Sequence, residues 1–207
     1  MKLYLSSYFL GDHPEKLADL VGSNKKTAVI QNAVDYSPDL ERRKARLERN
    51  CEQLVALGLE PEELDLRNYF GKPAELEEKI KTYGLLWVTG GNCFVLRRAM
   101  QESGLDEILI KHKGKDNFAY GGYSAGVCVL TPTLKGIDLA DDPEIIPEGY
   151  KEQTIWDGLG LLNYSFAPHY RSNHYESEMI ERCVEYFIEN KMLFKALHDG
   201  EVLIEEV

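Results

Sequence analysis

Phe118-Ala119-Tyr120-Gly121-Gly122-Tyr123-Ser124-Ala125-Gly126-Val127-Cys128-Val129-Leu130 is an apolar run with one serine set among small residues. Residues 118–122 have the composition of a short buried strand, and residues 125–130 that of the start of a helix. Between them Gly122-Tyr123-Ser124-Ala125-Gly126 spells G-x-S-x-G, in the strand–turn–helix context that holds a serine as a nucleophile. The turn is strained, and a side chain two positions either side of the serine would collide with the neighbouring strand and helix. A helix N-terminus behind Ser124 would offer a backbone N–H and a positive dipole end to the reaction. A Gly-rich turn of this kind can also cradle a phosphate or simply pack tightly, so the catalytic reading of Ser124 needs support from the rest of the chain.

Working outward, strands and helices alternate. Residues 2–8, 27–33, 85–89 and 160–167 read as strands, residues 63–66 as a weaker one, and residues 194–197 and 202–205 as a closing hairpin turned through Asp199-Gly200. Helical patterns cover residues 13–21, 37–57, 73–83, 93–103, 105–113 and 174–190, the second opened by Ser37 as cap and Pro38 at the first position. Leu47, Cys51, Leu54 and Val55 form its apolar stripe, and its Arg42, Arg43, Lys44 and Arg46 read as a solvated face. Repeated strand–helix alternation predicts an α/β fold: a mostly parallel, doubly wound sheet with helices on both faces. Residues 131–157 are a long connection rich in Pro, Gly and Asp, a length that is usually functional or mobile. Reactive groups in such folds collect at the carboxyl ends of strands, where Gly91, Ser124 and His169 all fall.

Composition narrows the function. With 24 Lys and Arg against 35 Asp and Glu, the formal charge is −11, which argues against nucleic-acid and anionic-membrane partners. No Pro/Ser/Gly-rich linker divides the 207 residues, so one domain spanning 1–207 is expected. Four widely spaced cysteines without a C-x-x-C, no charged-then-apolar leader and no long apolar run point to a reducing cytoplasm and no membrane span. No cofactor is expected, and the cysteine and histidine spacings give no metal site.

A serine hydroxyl needs a base, the base an orienting acid, and the developing oxyanion N–H donors. His169 directly ends a buried strand and is the candidate base, with His174 as its rival; a metal pair of these two histidines lacks a companion ligand at suitable spacing. Asp138, Asp141, Asp142 and Glu144 lie between serine and histidine. Gly90-Gly91-Asn92, between a buried strand and a helix, is a candidate oxyanion or phosphate loop.

Gly90-Gly91-Asn92 with Phe94 and Leu96, then Gly122-Tyr123-Ser124-Ala125-Gly126, Thr131-Pro132-Thr133 and Pro168-His169 jointly resemble the aspartyl dipeptidase (peptidase E) and cyanophycinase family of serine peptidases, related in fold to class I glutamine amidotransferases. The resemblance covers nearly the whole chain. It implies Ser124 as nucleophile, His169 as general base and then acid, the N–H groups of Gly91 and Ala125 as oxyanion hole, and an acid shortly after the serine, Asp138 or else Asp141 or Asp142. Peptidase E also carries an arginine early in the helix after its histidine, which holds the substrate aspartate. The matching region, residues 175–178, has none. Arg171 is the candidate to hold a substrate carboxylate instead, and Asn92 and Tyr123 are candidates to line the pocket. Relatives usually continue with more strand beyond residues 202–205.

The expected activity is therefore hydrolysis of small peptides through an acyl-enzyme, by a monomer or homodimer. The alternatives are a non-catalytic or regulatory binding protein of the same fold, and a small esterase. Only 44 residues separate Ser124 from His169, room for fewer strands than an α/β-hydrolase inserts there. Cys128, one helical turn beyond Ser124, reads as a buried core thiol.

Overall fold

The computed structural model describes residues 1–207. In chain order its elements are β1 (Lys2–Ser6), α1 (Pro14–Leu20), β2 (Lys26–Ile30), α2 (Leu40–Ala56), β3 (Glu60–Glu63), α3 (Pro73–Ile80), β4 (Leu85–Val88), α4 (Cys93–Ser103), α5 (Leu105–Lys111), β5 (Ala119–Tyr123), α6 (Ala125–Cys128), β6 (Ser165–Ala167), α7 (Ser177–Glu189), β7 (Phe194–Ala196) and β8 (Val202–Glu206). Six strands form the main sheet in the order β3-β2-β4-β5-β1-β8. Every neighbouring pair is parallel except β1 and β8, which are antiparallel.

The alternation of side chains across the pleat divides the core in two. Leu3, Leu5, Ala28, Ile30, Leu86, Val88 and Tyr120 face a large cluster shared with α3, α4, α5 and α7. The intervening Tyr4, Val29, Leu85, Trp87, Ala119 and Tyr123 face a smaller one closed by Leu17 of α1 and Leu54 of α2. Both faces of the inner strands are thus buried, as a mostly parallel sheet requires. No helix is long and apolar enough to cross a membrane.

The expected hairpin at the C-terminal end is not formed. β7 pairs with β6 in a separate two-stranded parallel sheet, and β8 crosses to the main sheet, where Lys2 to Ser6 pair with Glu206 to Val202. Asp199-Gly200 therefore lies in a crossover between two sheets. Of residues 160–167 only Ser165–Ala167 is strand. β3 sits at residues 60–63, and Leu66–Tyr69 is a short 3-10 helix. Glu60-Pro61-Glu62-Glu63 has no strand-like composition, yet a sheet edge tolerates proline and charge because one side of the strand is unpaired.

Helix α2 starts later than expected, with Asp39 as its cap, accepting from the Arg42 N–H at 2.9 Å. Leu54 is buried and Leu47 and Cys51 pack beside it, whereas Val55 is 58% exposed. Two of its basic residues are not solvated: Arg43 pairs with Asp35, and Arg46 donates to the Tyr123 hydroxyl at 3.3 Å. In α7, Ile180, Cys183, Val184 and Phe187 are buried.

The long connection after α6 is held from inside. Arg98, 1% exposed, donates to the carbonyls of Gln153 (3.1 Å), Ile145 (3.0 Å) and Pro143 (2.8 Å) and to Thr154 Oγ1 (3.0 Å). Arg97 adds a bond to the Asp157 carbonyl at 3.0 Å and an ion pair with Asp106 at 2.9 Å. A buried guanidinium needs acceptors for its fork of donors, and these loop carbonyls need donors away from water. Each need satisfies the other.

Candidate active site

Ser124 follows β5 with φ 51° and ψ −117°, a backbone region that a residue with a Cβ adopts only when its surroundings impose it. Those surroundings are glycines. A Cβ on Gly122 would lie 2.7 Å from the Val88 carbonyl oxygen, and one on Gly126 would lie 2.3 Å from the same atom. Only glycine lets β4 close on the turn from both sides. The Ser124 carbonyl starts α6, accepting from Val127 and Cys128 at 2.8 and 3.0 Å.

Gly90-Gly91-Asn92 crosses beside this turn. A Cβ on Gly90 would come within 3.0 Å of Ser124 Cβ and 3.3 Å of Ser124 Oγ. Gly91 has φ 130°, and a Cβ there would meet the Ala33 carbonyl at 2.5 Å. Its own N–H has no backbone acceptor, and Ala125, first residue of α6, has an N–H without an intrahelical partner by position. Asn92 is the cap of α4: Oδ1 accepts from the N–H groups of Phe94 and Val95, each at 2.9 Å, and Nδ2 donates to the Asp142 carbonyl at 2.9 Å. Its amide is occupied in the scaffold.

His169 follows β6 and is 2% exposed. Its Nδ1 lies 2.6 Å from Asp199 Oδ1. A carboxylate only accepts, so Nδ1 carries the proton and Nε2 of the neutral ring holds a lone pair. Ser7 ties both partners to the end of β1: its Oγ accepts from the His169 N–H at 2.8 Å and donates to Asp199 Oδ1 at 2.9 Å. The Asp199 N–H in turn donates to Ser172 Oγ at 2.8 Å.

Asp138, the acid expected from the resemblance, is not at the histidine. Its carboxylate accepts from the Gly136 N–H at 2.7 Å at the start of a short 3-10 turn, and Asp142 likewise accepts from Glu144 N–H at 2.9 Å. Neither has a hydrogen bond to His169. Both carboxylates are used as local turn caps, the ordinary employment of Asp beside free N–H groups.

A small cavity opens next to Ser124, lined by Cys93, Ser124, Cys128, Ile137, Ala140, Asp141, Pro168, Glu176 and Ile180. Asp141 Oδ2 accepts from the Cys93 N–H at 2.8 Å, and burial pushes its carboxyl up to about 7. Burial raises the Cys93 thiol as well, with Cys128 and Asp141 adding to the effect, so the Cys93 thiol stays protonated and inert. Glu176 Oε2 is 3.8 Å from His169 Nε2 and 3.7 Å from His174 Nδ1. His169 Nε2 therefore faces the rim of the cavity that holds Ser124, without a hydrogen bond to the serine itself.

His174 stacks on His169 with centroids 3.7 Å apart and planes at 8°. Burial and the neighbouring His169 keep it neutral, below the usual histidine range. His169, His174 and Glu176 hold their donor atoms within 4.8 Å of one another, supplying the acidic companion that the spacing alone did not reveal. Lone pairs in two parallel, face-to-face ring planes do not converge on one ion, however, and His174 Nδ1 already accepts from the Glu176 N–H at 3.3 Å. Ring rotation would have to precede any metal binding.

Two further expected residues stand apart from the cavity. Tyr123 is 1% exposed, stacks on Phe9 with centroids 5.0 Å apart and presents its hydroxyl to Arg46 and Asn50. Arg171 is exposed and lies over the Tyr170 ring at 5.1 Å. Ser7, Asp199 and Glu176 were not singled out from the sequence. Asp199 was visible only as the first half of an Asp-Gly turn.

This architecture has counterparts. The model of peptidase family S51 matches residues 12–206. An uncharacterized peptidase of Listeria monocytogenes, Lmo0363, is 27% identical over 140 residues, 68% of this chain and 65% of that protein. Peptidase E of Streptomyces coelicolor is 31% identical over 120 residues, 56% of this chain and 46% of that one. The match thus spans less than two thirds of the length of these curated relatives. Among solved structures, a candidate peptidase E from Listeria monocytogenes EGD-e superposes with a TM-score of 0.74 at 24% identity, covering 100% of this chain and 98% of that one. A peptidase from an acI-B1 Actinobacterium gives 0.72 at 17%, covering 99% and 83%. The sheet order, the strained serine turn and these likenesses agree on a class I glutamine amidotransferase-like fold, and with nearly its whole length matched the chain belongs to peptidase family S51.

Proposed function

We propose that the protein is a serine peptidase acting on small peptides through an acyl-enzyme, with Ser124 as nucleophile, His169 as base and Asp199 as the acid that orients it. The observation that carries this reading is the 2.6 Å contact between His169 Nδ1 and Asp199 Oδ1, which fixes the tautomer a general base needs, beside a serine held in a strained turn.

In the reaction, Ser124 Oγ attacks the scissile carbonyl carbon as its proton passes to His169 Nε2. The carbonyl oxygen becomes an oxyanion facing the N–H groups of Gly91 and Ala125, and Asp199 stabilises the imidazolium. Collapse of the adduct breaks the C–N bond, and Nε2 gives its proton to the departing amine. Water then repeats the sequence on the acyl-enzyme, losing a proton to Nε2 and releasing the acid and free serine. Serine–base hydrogen bonds are often long before substrate binds, which accommodates the open Ser124–His169 approach.

The test is covalent labelling by a fluorophosphonate together with hydrolysis of a dipeptide and aryl-amide panel. Labelling and turnover are expected in the native protein and absent in Ser124→Ala. Labelling that persists in the variant would remove Ser124 from the reaction, and aryl-ester turnover without peptide cleavage would favour the esterase alternative.

A further inference from the structure

Every arginine withdrawn from solvent finds an acidic or carbonyl acceptor except Arg46. Arg43 pairs with Asp35, Arg97 with Asp106, and Arg98 serves the carbonyls of the long connection. Arg46, half-buried on α2, donates only from Nη2 to the Tyr123 hydroxyl at 3.3 Å. Its Nε is enclosed without a partner, and Nη1 makes no hydrogen bond. A guanidinium keeps its charge when desolvated, so a neutral phenol at long range leaves most of its fork unanswered.

This unanswered charge stands close to the serine. Arg46 Cζ is 5.8 Å from the centroid of the Tyr123 ring. A Cβ on Gly90 would lie 3.1 Å from Tyr123 Cε2 and 3.0 Å from Ser124 Cβ, so that ring flanks the nucleophile turn. Tyr8 joins it to the histidines, with its centroid 6.3 Å from that of Tyr123, 5.7 Å from that of His169 and 5.4 Å from that of His174. The charge of Arg46 is one of the causes that keep His174 neutral. Arg46 thus lies on the histidine side of Ser124, where the departing amine would take its proton. Arg49, three residues along α2, lies over the Phe9 ring at 4.0 Å and adds a second positive charge on the same aromatic cluster, since Phe9 stacks on Tyr123.

We infer that Arg46 receives the C-terminal carboxylate of the leaving residue of a dipeptide and is the residue that selects for it. This rests on the serine-peptidase reading of Ser124, because nucleophile and base locate the leaving residue. A carboxylate offers two charged acceptors to the guanidinium fork, whereas a C-terminal amide offers one neutral oxygen and brings donors that Arg46 cannot use.

The experiment compares kcat/KM for dipeptides and their C-terminal amides, with the acyl residue held constant within each pair, in the native protein, Arg46→Gln, Arg46→Lys and Arg171→Gln. The native protein should prefer the free acid by about tenfold or more. That ratio should fall towards one in Arg46→Gln, mostly through KM, be partly kept in Arg46→Lys and be unchanged in Arg171→Gln, with folding checked by thermal melting. A loss of stability alone would lower both rates and leave the ratio in place. Amides cleaved as well as acids, or a ratio that survives in Arg46→Gln, would overturn the inference.

A second measurement needs no turnover. L-Leucine should slow fluorophosphonate labelling of Ser124 more than L-leucinamide does, and should lose that advantage in Arg46→Gln. Labelling without such a difference overturns the carboxylate site alone, whereas absence of labelling overturns the nucleophile reading and the site with it.

Discussion

Asp141 makes the stability of the fold depend on pH in a calculable way. Its carboxyl is raised from 3.8 to about 7 by burial, more than the Cys93 hydrogen bonds lower it, and Glu176 raises it further. A raised folded value means that the unfolded chain gives up this proton first. The contribution of Asp141 is therefore neutral below about pH 4, turns unfavourable as pH rises towards 7 and levels off above it. The rise from 3.8 to about 7 corresponds to ~4 kcal/mol as an upper limit, and relaxation and water penetration reduce this to about 1–3 kcal/mol. Asp141→Asn removes the charge while keeping an oxygen for the Cys93 N–H. Urea unfolding of native protein and variant at pH 5 and pH 8.5 isolates the effect, since every other titrating group cancels in the difference. The variant should gain about 0.5–2 kcal/mol relative to the native protein on going from pH 5 to pH 8.5, because roughly a third of the effect has already developed by pH 5. A difference between the two proteins that is the same at both pH values would refute the claim that Asp141 is held in a low-dielectric pocket.

Further substitutions test the rest of the frame. Asp199→Asn removes the acceptor that fixes the His169 tautomer and should lower kcat by about 10²–10⁴-fold, far more than Asp138→Asn; equal losses would return the orienting role to Asp138. Gly90→Ala puts a methyl 3.0 Å from Ser124 Cβ and should cost about 10–100-fold in kcat with little change in melting temperature, whereas Gly126→Ala drives a methyl against the Val88 carbonyl at 2.3 Å and should destabilise by about 3 kcal/mol or more; matching stability losses in the two would sink the distinction. Arg98→Ala leaves the carbonyls of Pro143, Ile145 and Gln153 without their donors and should cost about 2–4 kcal/mol while speeding limited proteolysis between residues 143 and 154; unchanged proteolysis would mean the connection is held by something else.

What the sequence disclosed was what short segments determine. The serine turn was legible because its cause is local: glycines at positions −2 and +2, an apolar strand before and small residues after. The glycine loop at 90–91 and the placement of His169 after a strand are of the same kind. β3 was misplaced because an edge strand is formed by its neighbour's pairing groups rather than by its own Glu60-Pro61-Glu62-Glu63 composition. Arg43 and Arg46 were read as solvated because charge pattern along a helix says nothing of an Asp35 or a Tyr123 arriving from elsewhere. The terminal hairpin failed for a related reason. Asp-Gly is a sound turn signal, and a turn is there, but β7 and β8 find their partners in different sheets.

That last misreading hid the carboxylate that meets His169, and the sheet explains why Asp199 is where it is. β5, β1 and β8 are neighbours. β5 and β1 run parallel, so Ser124 and Ser7 emerge side by side, and the Ser124 N–H reaches the Ser6 carbonyl at 3.3 Å. β8 runs the other way with Val202 opposite Ser6, so the residues just before β8, Asp199 among them, arrive at the same edge. A parallel last strand would have put its start, and any acid preceding it, at the opposite edge of the sheet. The antiparallel strand is thus what lets an acid 30 residues after His169 meet the histidine over Ser7. The proposed order serine, histidine, acid follows from that reversal, and nothing in the chemistry requires the acid to lie between the other two.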